Sequence, residues 1–206
     1  MNFSIDLASI AIFLVVLFIS VALHEMMHAY VALKLGDDLA HSQGRISLNP
    51  MSHIDPFLTI ALPAGLLLLG LPVILAAKPV PINTSRLKGE ELGMAAVGIA
   101  GPLTNLVIAT IAAMVINLIG ASGLALDILM LTLQLNVGLF VFNMIPFPPL
   151  DGSRLLYAFA PESVQNVMQK IESFGIFGII LIMSLLYPVI GPIITSINST
   201  LLGILV

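Results

Sequence analysis

His24-Glu25-Met26-Met27-His28 sets two imidazoles four residues apart with a carboxylate beside the first. Positions four apart share one face of a helix, so His24 and His28 can grip a single zinc ion while Glu25 reaches a water bound to it. From Ile5 to Leu35 the only other charged residues are Asp6 and Lys34. The three ionisable groups therefore sit in a helix otherwise built for hydrocarbon, where such groups are costly and mark function. The chemistry they point to is hydrolysis inside a membrane. Two imidazoles leave a catalytic zinc site incomplete, because such a site commonly has three protein ligands and one position open to water. The chain has no cysteine, so the third ligand must be His, Asp or Glu.

Asp151 is the best-placed candidate. Asp37, Asp38 and Asp55 lie in polar loops, and Asp127 falls on the far side of the expected topology. Asp151 ends the run Asn143-Met144-Ile145-Pro146-Phe147-Pro148-Pro149-Leu150 and precedes Gly152, a composition that also makes ordinary turns. His41 and His53 stand in polar sequence, which fits surface or supporting roles better than ligation. Met26 and Met27 read as packing residues.

The elements that must position these groups follow from composition. Of 206 residues, 59% are hydrophobic and 9% charged, and the mean hydropathy is +1.12; soluble domains carry about 25% charge. The formal charge of −4 comes with no basic patch interleaved with aromatics, so no nucleic-acid partner is expected. Apolar stretches run over Ile5–Leu35, Phe57–Ala77, Met94–Leu118, Leu124–Met144 and Phe174–Val206, against roughly 20 residues per crossing. The first has no basic lead-in and is too long for a signal peptide, so residues 5–35 are expected to remain as a spanning helix. The expected fold is an all-α polytopic membrane protein with about five to six transmembrane or re-entrant helices. It forms a single domain over 1–206, with core helices at 5–35, 94–118 and 124–144 and a C-terminal helical region at 153–206.

Parity decides how these helices are threaded. Were residues 57–77 to cross completely, Asp151 would emerge on the side opposite the end of the His24 helix, and no joint site could form. A re-entrant 57–77 brings His28, Gly101 to Asn105 and Asp151 to one side, with Pro63, Gly65, Gly70 and Pro72 as possible bends. The same threading puts Lys34, Arg45, Lys78, Arg86, Lys88, Arg154 and Lys170 on one side, every Lys and Arg in the chain. Short cytoplasmic loops carry that excess, so the site is expected at the cytoplasmic side of a multi-pass cell-membrane protein. Helix rise puts His24 about 15 Å and His28 about 9 Å below Lys34 along the axis.

The HExxH helix and the Asn143 to Gly152 run resemble the site 2 protease family of intramembrane zinc metalloproteases, which combines HExxH with a downstream NxxPxPxLDG-type motif. Gly101-Pro102-Leu103-Thr104-Asn105, His53-Ile54-Asp55-Pro56 and Ala77-Lys78-Pro79-Val80-Pro81-Ile82-Asn83 are similar to the compact prokaryotic branch without a PDZ domain. Together these matches extend to about residue 156. The resemblance implies one zinc ion on His24, His28 and Asp151, with Glu25 as general base and Asn143 as a donor to the substrate backbone or developing oxyanion. Capping or interhelical bonding is the competing role for Asn143. Asn105 reads as a cross-helix hydrogen bond beside a close Gly101-Pro102 approach.

The implied activity is hydrolysis of peptide bonds within or near transmembrane segments, with a membrane-protein substrate and the lipid bilayer as partners. A buried helix must unwind before its carbonyls can be reached, so a small β-strand element near the cytoplasmic side of the site is expected at Ala40–Leu48 or Lys78–Thr84. Gly152–Ser173 is expected as a surface helix, and the tract from Phe174 as one or two crossings, with Tyr187-Pro188 and Gly191-Pro192 as the break. Two other readings compete: a metal-ion transporter, which would need a polar path beyond Ser20, Ser9 and Ser4, and a relative that binds membrane helices without cutting them.

Overall fold

The computed structural model describes residues 7–68 and 77–206. In chain order the helices are α1 (Leu7–Lys34), α2 (Leu39–Ser42), α3 (Leu62–Leu68), α4 (Glu90–Ile119), α5 (Gly123–Asn143), α6 (Gly152–Phe159), α7 (Glu162–Ser173) and α8 (Gly175–Leu205). A π-helical turn at Pro56–Ala61 leads into α3. Three of them, α1, α4 and α5, are long and apolar enough to cross a membrane. The architecture is all-α, and it fits a membrane protein.

The face that α1 buries is a stripe of Leu17, Ser20, His24, His28 and Ala32, spaced three or four apart as a single helical face requires. α4 answers with small residues: Gly98, Gly101, Asn105, Ala109 and Ala112 are all buried. Small side chains let backbones approach closely, which is how helices associate when lipid removes the hydrophobic incentive to pack. The outer face of α4 is the reverse. Leu103, Val107, Ile111, Met114 and Leu118 are exposed at the same spacing, a continuous apolar stripe that water would penalise and acyl chains would not.

Beyond the middle of the bundle, Ala109, Ala112 and Ala113 of α4 pack on Leu133, Val137 and Val141 of α5, with Ile194, Leu201, Leu202 and Leu205 of α8 against them. Nearer the end of α1, Ala32, Leu87 and Val97 form a second cluster with Val31, Leu35, Ile82 and Met94.

Both flanks of the 57–77 excursion are tied to this second end. The Lys78 N–H donates to the His53 carbonyl at 2.9 Å, and the Lys88 N–H donates to the Leu35 carbonyl at 2.8 Å. The Asp37 carboxylate accepts from the Asn83 N–H at 2.6 Å and the Leu39 N–H at 3.1 Å. The chain thus leaves at Asp55 and is back beside His53 at Lys78.

Several expectations change. The expected β element is absent among the described residues: Leu39–Ser42 is a helical turn, and Lys78–Asn83 has no partner strand. Asp37, just after α1, takes the Asn83 amide that a ladder would have used. Against about five to six spans, three helices among the described residues meet the length and hydropathy of a crossing. α4 begins at Glu90, four residues before the apolar run, because Glu90 and Glu91 in the first turn complement the helix dipole. Gly152–Ser173 is two helices, since Pro161 lacks an N–H and pushes Ala160 into an extended conformation at ψ 145°. α8 is one continuous helix through Pro188 and Pro192. Pro63 stands in the first turn of α3, where a missing N–H costs little; Ile5, Asp6, Ser4, Gly70 and Pro72 lie outside the described residues.

Candidate metal centre

α1 carries His24 and His28 on its buried stripe, and their rings meet edge to face with centroids 4.7 Å apart. Asp151 comes from the connection between α5 and α6. That connection folds tightly back on the end of α5: a Cβ on Gly152 would collide with the Met144 carbonyl, and the Pro148–Pro149 bond is cis. Asp151 occupies the N-cap position of α6 yet makes no side-chain cap. Its carboxylate turns instead to the imidazoles, with Oδ2 at 3.0 Å from His24 Nε2 and 3.4 Å from His28 Nε2. The two Nε2 atoms are 3.0 Å apart. Among the described residues His24, His28 and Asp151 form a group that could hold a metal ion, and the structure brings these three residues together.

The tautomers follow from the hydrogen-bond network. His28 Nδ1 is 2.7 Å from the Val97 carbonyl oxygen; a carbonyl only accepts, so Nδ1 carries the hydrogen and Nε2 presents a lone pair. For His24 the assignment takes three steps. The Asn136 amide nitrogen donates to the Thr132 carbonyl at 2.8 Å and to the Ser20 hydroxyl at 2.9 Å, which orients its oxygen towards Asn105. The Asn105 amide nitrogen donates to that oxygen at 2.8 Å, so Asn105 Oδ1 faces His24 Nδ1 at 2.6 Å and must accept from it. His24 Nε2 is then also a lone pair.

With both rings neutral, two nitrogen lone pairs and a carboxylate oxygen converge at one point, a donor set that suits a bound metal ion. Zinc fits on three counts: N and O are its ligand types, and ligands at about 2.0–2.1 Å in a tetrahedron stand about 3.3 Å apart. The third is that each ligating histidine donates its other N–H to an oxygen, the usual orienting arrangement.

Close packing makes room for this. A Cβ on Gly101 would stand 2.6 Å from His24 Nε2 and nearer still to His28 Nε2, and one on Gly98 would stand 3.0 Å from the Asp151 carbonyl oxygen. Glu25 is half-buried beside the cluster and makes no hydrogen bond among the described residues. It is close enough to His28 and Arg45 to act on both electrostatically. Arg45 is buried, with Nη2 donating to the Lys78 carbonyl and, among the described residues, no partner for Nε and Nη1.

The structure does not join Asn143 to this cluster. Its amide nitrogen donates to the Leu139 carbonyl on its own helix at 3.0 Å. Asn105 does make the cross-helix bond, and to His24. His41 is exposed, whereas His53 is buried, with Nε2 2.8 Å from the Ser47 carbonyl. His53 holds a loop and is not a surface residue. Asn136 and the Val97 carbonyl escape sequence reading: an Asn within an apolar helix has no spacing motif, and a carbonyl leaves no sequence trace. The one available signal for Asn136 is a polar amide inside a span, where polar groups face the bundle interior.

The fold and site thus define a helical protein with helices apolar enough to span a membrane and a two-histidine, one-carboxylate group that could hold a metal ion. The chain is 39% identical over 170 residues to "Putative zinc metalloprotease YwhC" of Bacillus subtilis, covering 78% of this chain and 74% of the relative. It is 26% identical over 190 residues to "Putative zinc metalloprotease Rip2" of Mycolicibacterium smegmatis, covering 86% and 69%. The Mycobacterium tuberculosis Rip2 is 26% identical over 166 residues, 77% of this chain and 61% of the relative. No family model matches, and no solved structure matches. The chain belongs to the zinc metalloprotease family that YwhC represents.

Proposed function

We propose that this protein is an intramembrane zinc metalloendopeptidase of the site 2 protease kind, with zinc on His24, His28 and Asp151 and Glu25 as general base. The observation that carries the reading is the convergence of three lone-pair donors at 3.0, 3.0 and 3.4 Å beside a carboxylate, Glu25, that has no hydrogen bond among the described residues. Bound there, zinc would polarise the scissile carbonyl and acidify water. Glu25 takes the proton from the attacking water and passes it to the departing amine, which its lack of a fixed partner permits. Asn143 keeps one amide hydrogen beyond the bond to Leu139 and is available to a substrate carbonyl.

The substrate in this reading is a transmembrane segment. His24 lies deep in α1, and the outer stripe of α4 is lipid-compatible. A re-entrant 57–77 is supported by the bond from Lys78 to His53, which closes the excursion where it began. Each Lys and Arg belongs to that same end: Arg45 bonds Lys78, Arg86 pairs with Asp38, Arg154 packs on Gly98, and α7, with Lys170, reaches Glu91 through Gln165. Cytoplasmic placement of the site follows from the positive-inside rule. A transporter would need a polar path onward from Ser20, and the apolar cluster of Ala109, Ala112, Ala113 and Leu133 stands there instead.

The test is reconstitution in bilayers with a model transmembrane substrate. The wild type should cleave it, chelation should abolish cleavage and added zinc restore it. Glu25→Gln should keep zinc and lose at least about 100-fold in rate. Equal cleavage by both proteins would remove Glu25 as base.

A further inference from the structure

Asn136 is fully buried in the middle of α5 and belongs to neither metal-binding motif. All its polar atoms are used. Its nitrogen donates to the Thr132 carbonyl and the Ser20 hydroxyl, and its oxygen accepts from Asn105. Only the first of these contacts is directional without ambiguity, because a carbonyl cannot donate while a hydroxyl or an amide can be turned round. The orientation of the whole chain from Ser20 to His24 is thus set at Thr132.

The consequence falls on His24. Were the Asn105 amide reversed, its nitrogen would face His24 Nδ1, the imidazole would shift its hydrogen to Nε2, and the lone pair facing His28 and Asp151 would be lost. Nothing else holds Asn105 the right way round among the described residues, since its nitrogen has the single partner Asn136 Oδ1. His28 needs no such device because Val97 supplies a carbonyl directly. Building on the metal-centre reading above, we propose that Asn136 is a positioning residue that, through Asn105, fixes His24 in the Nδ1–H tautomer and keeps Nε2 available to zinc. The Thr132 carbonyl is its reference point.

Full-length protein in detergent or bilayers, selectively labelled at its histidine rings, tests this with two readouts: the His24 tautomer by NMR on metal-free protein, and zinc affinity by competition with a chromogenic chelator. In Asn136→Leu the His24 ring should populate the Nε2–H tautomer, and zinc affinity should fall about 10–100-fold, the usual cost of losing an orienting partner. Asn136→Ala removes the same oxygen without bulk and repeats the measurement should the leucine variant misfold. In an Asn105→Asp background, where an oxygen faces His24 in either orientation, Asn136→Leu should change zinc affinity less than about twofold. A packing role predicts the same loss in both backgrounds and would overturn the proposal, as would an unchanged tautomer in Asn136→Leu. A wild type that shows the Nδ1–H tautomer yet takes no zinc would refute the metal centre itself, separately from the role of Asn136.

Discussion

Gly101→Ala isolates the contact on which the metal centre depends. The added methyl would stand 2.6 Å from His24 Nε2 and closer still to His28 Nε2, whereas carbon contacts settle near 3.5 Å. At least one ring must retreat by roughly 1 Å, because the methyl is anchored to the helix backbone. Metal sites tolerate ligand displacements of only about 0.2 Å, so the shift takes an imidazole out of reach. The expected loss in zinc affinity is about 100-fold or more, equivalent to about 2.7 kcal/mol at 1.36 kcal/mol per tenfold, with cleavage falling at least as far. Gly138→Ala is the control, since a Cβ there meets nothing within 4 Å and alanine favours a helix by up to about 1 kcal/mol. Zinc competition titrations and detergent melting curves on the two variants are the assay. If Gly101→Ala binds zinc as the wild type does, the histidines are not held against α4 as described, and the geometric account of the site fails.

Two further outcomes are expected. Asp151→Ala removes a direct ligand, so its zinc affinity should drop by more than the roughly 10–100-fold typical of an outer-sphere loss; full zinc occupancy at chelator concentrations that strip this variant's neighbours would dismiss it as third ligand. Single cysteines at Asn83 and Ser122, in a chain with none of its own, should label from opposite faces of the membrane. Labelling of both from the same face would disprove the re-entrant 57–77.

Much of this site is readable from local pattern. The four-residue spacing of His24 and His28 defines a shared helical face wherever the helix packs, and the apolar lengths around residues 94–118 and 124–144 mark two spans to within a few residues. Asp151 is reachable because parity and the missing third ligand leave few alternatives. The N-terminal boundary of α4 and the break at Pro161 were legible only in part, since charge-dipole and proline effects compete with hydropathy there.

Other features depend on residues brought together across long separations. Asn136 becomes informative only when α5 packs it between Ser20 and Asn105, 116 and 31 residues away. Gly101 is one glycine among 16 until α4 lies against two imidazoles. The strand expected near the site fails for the same reason: whether an extended segment pairs is settled by what stands beside it, and Asp37 takes the Asn83 amide first. Helical faces are encoded at short range, by periodicity. The choice of tautomer, the room for a ring and the partner of a backbone amide are properties of contact, and contact is made only by the folded chain.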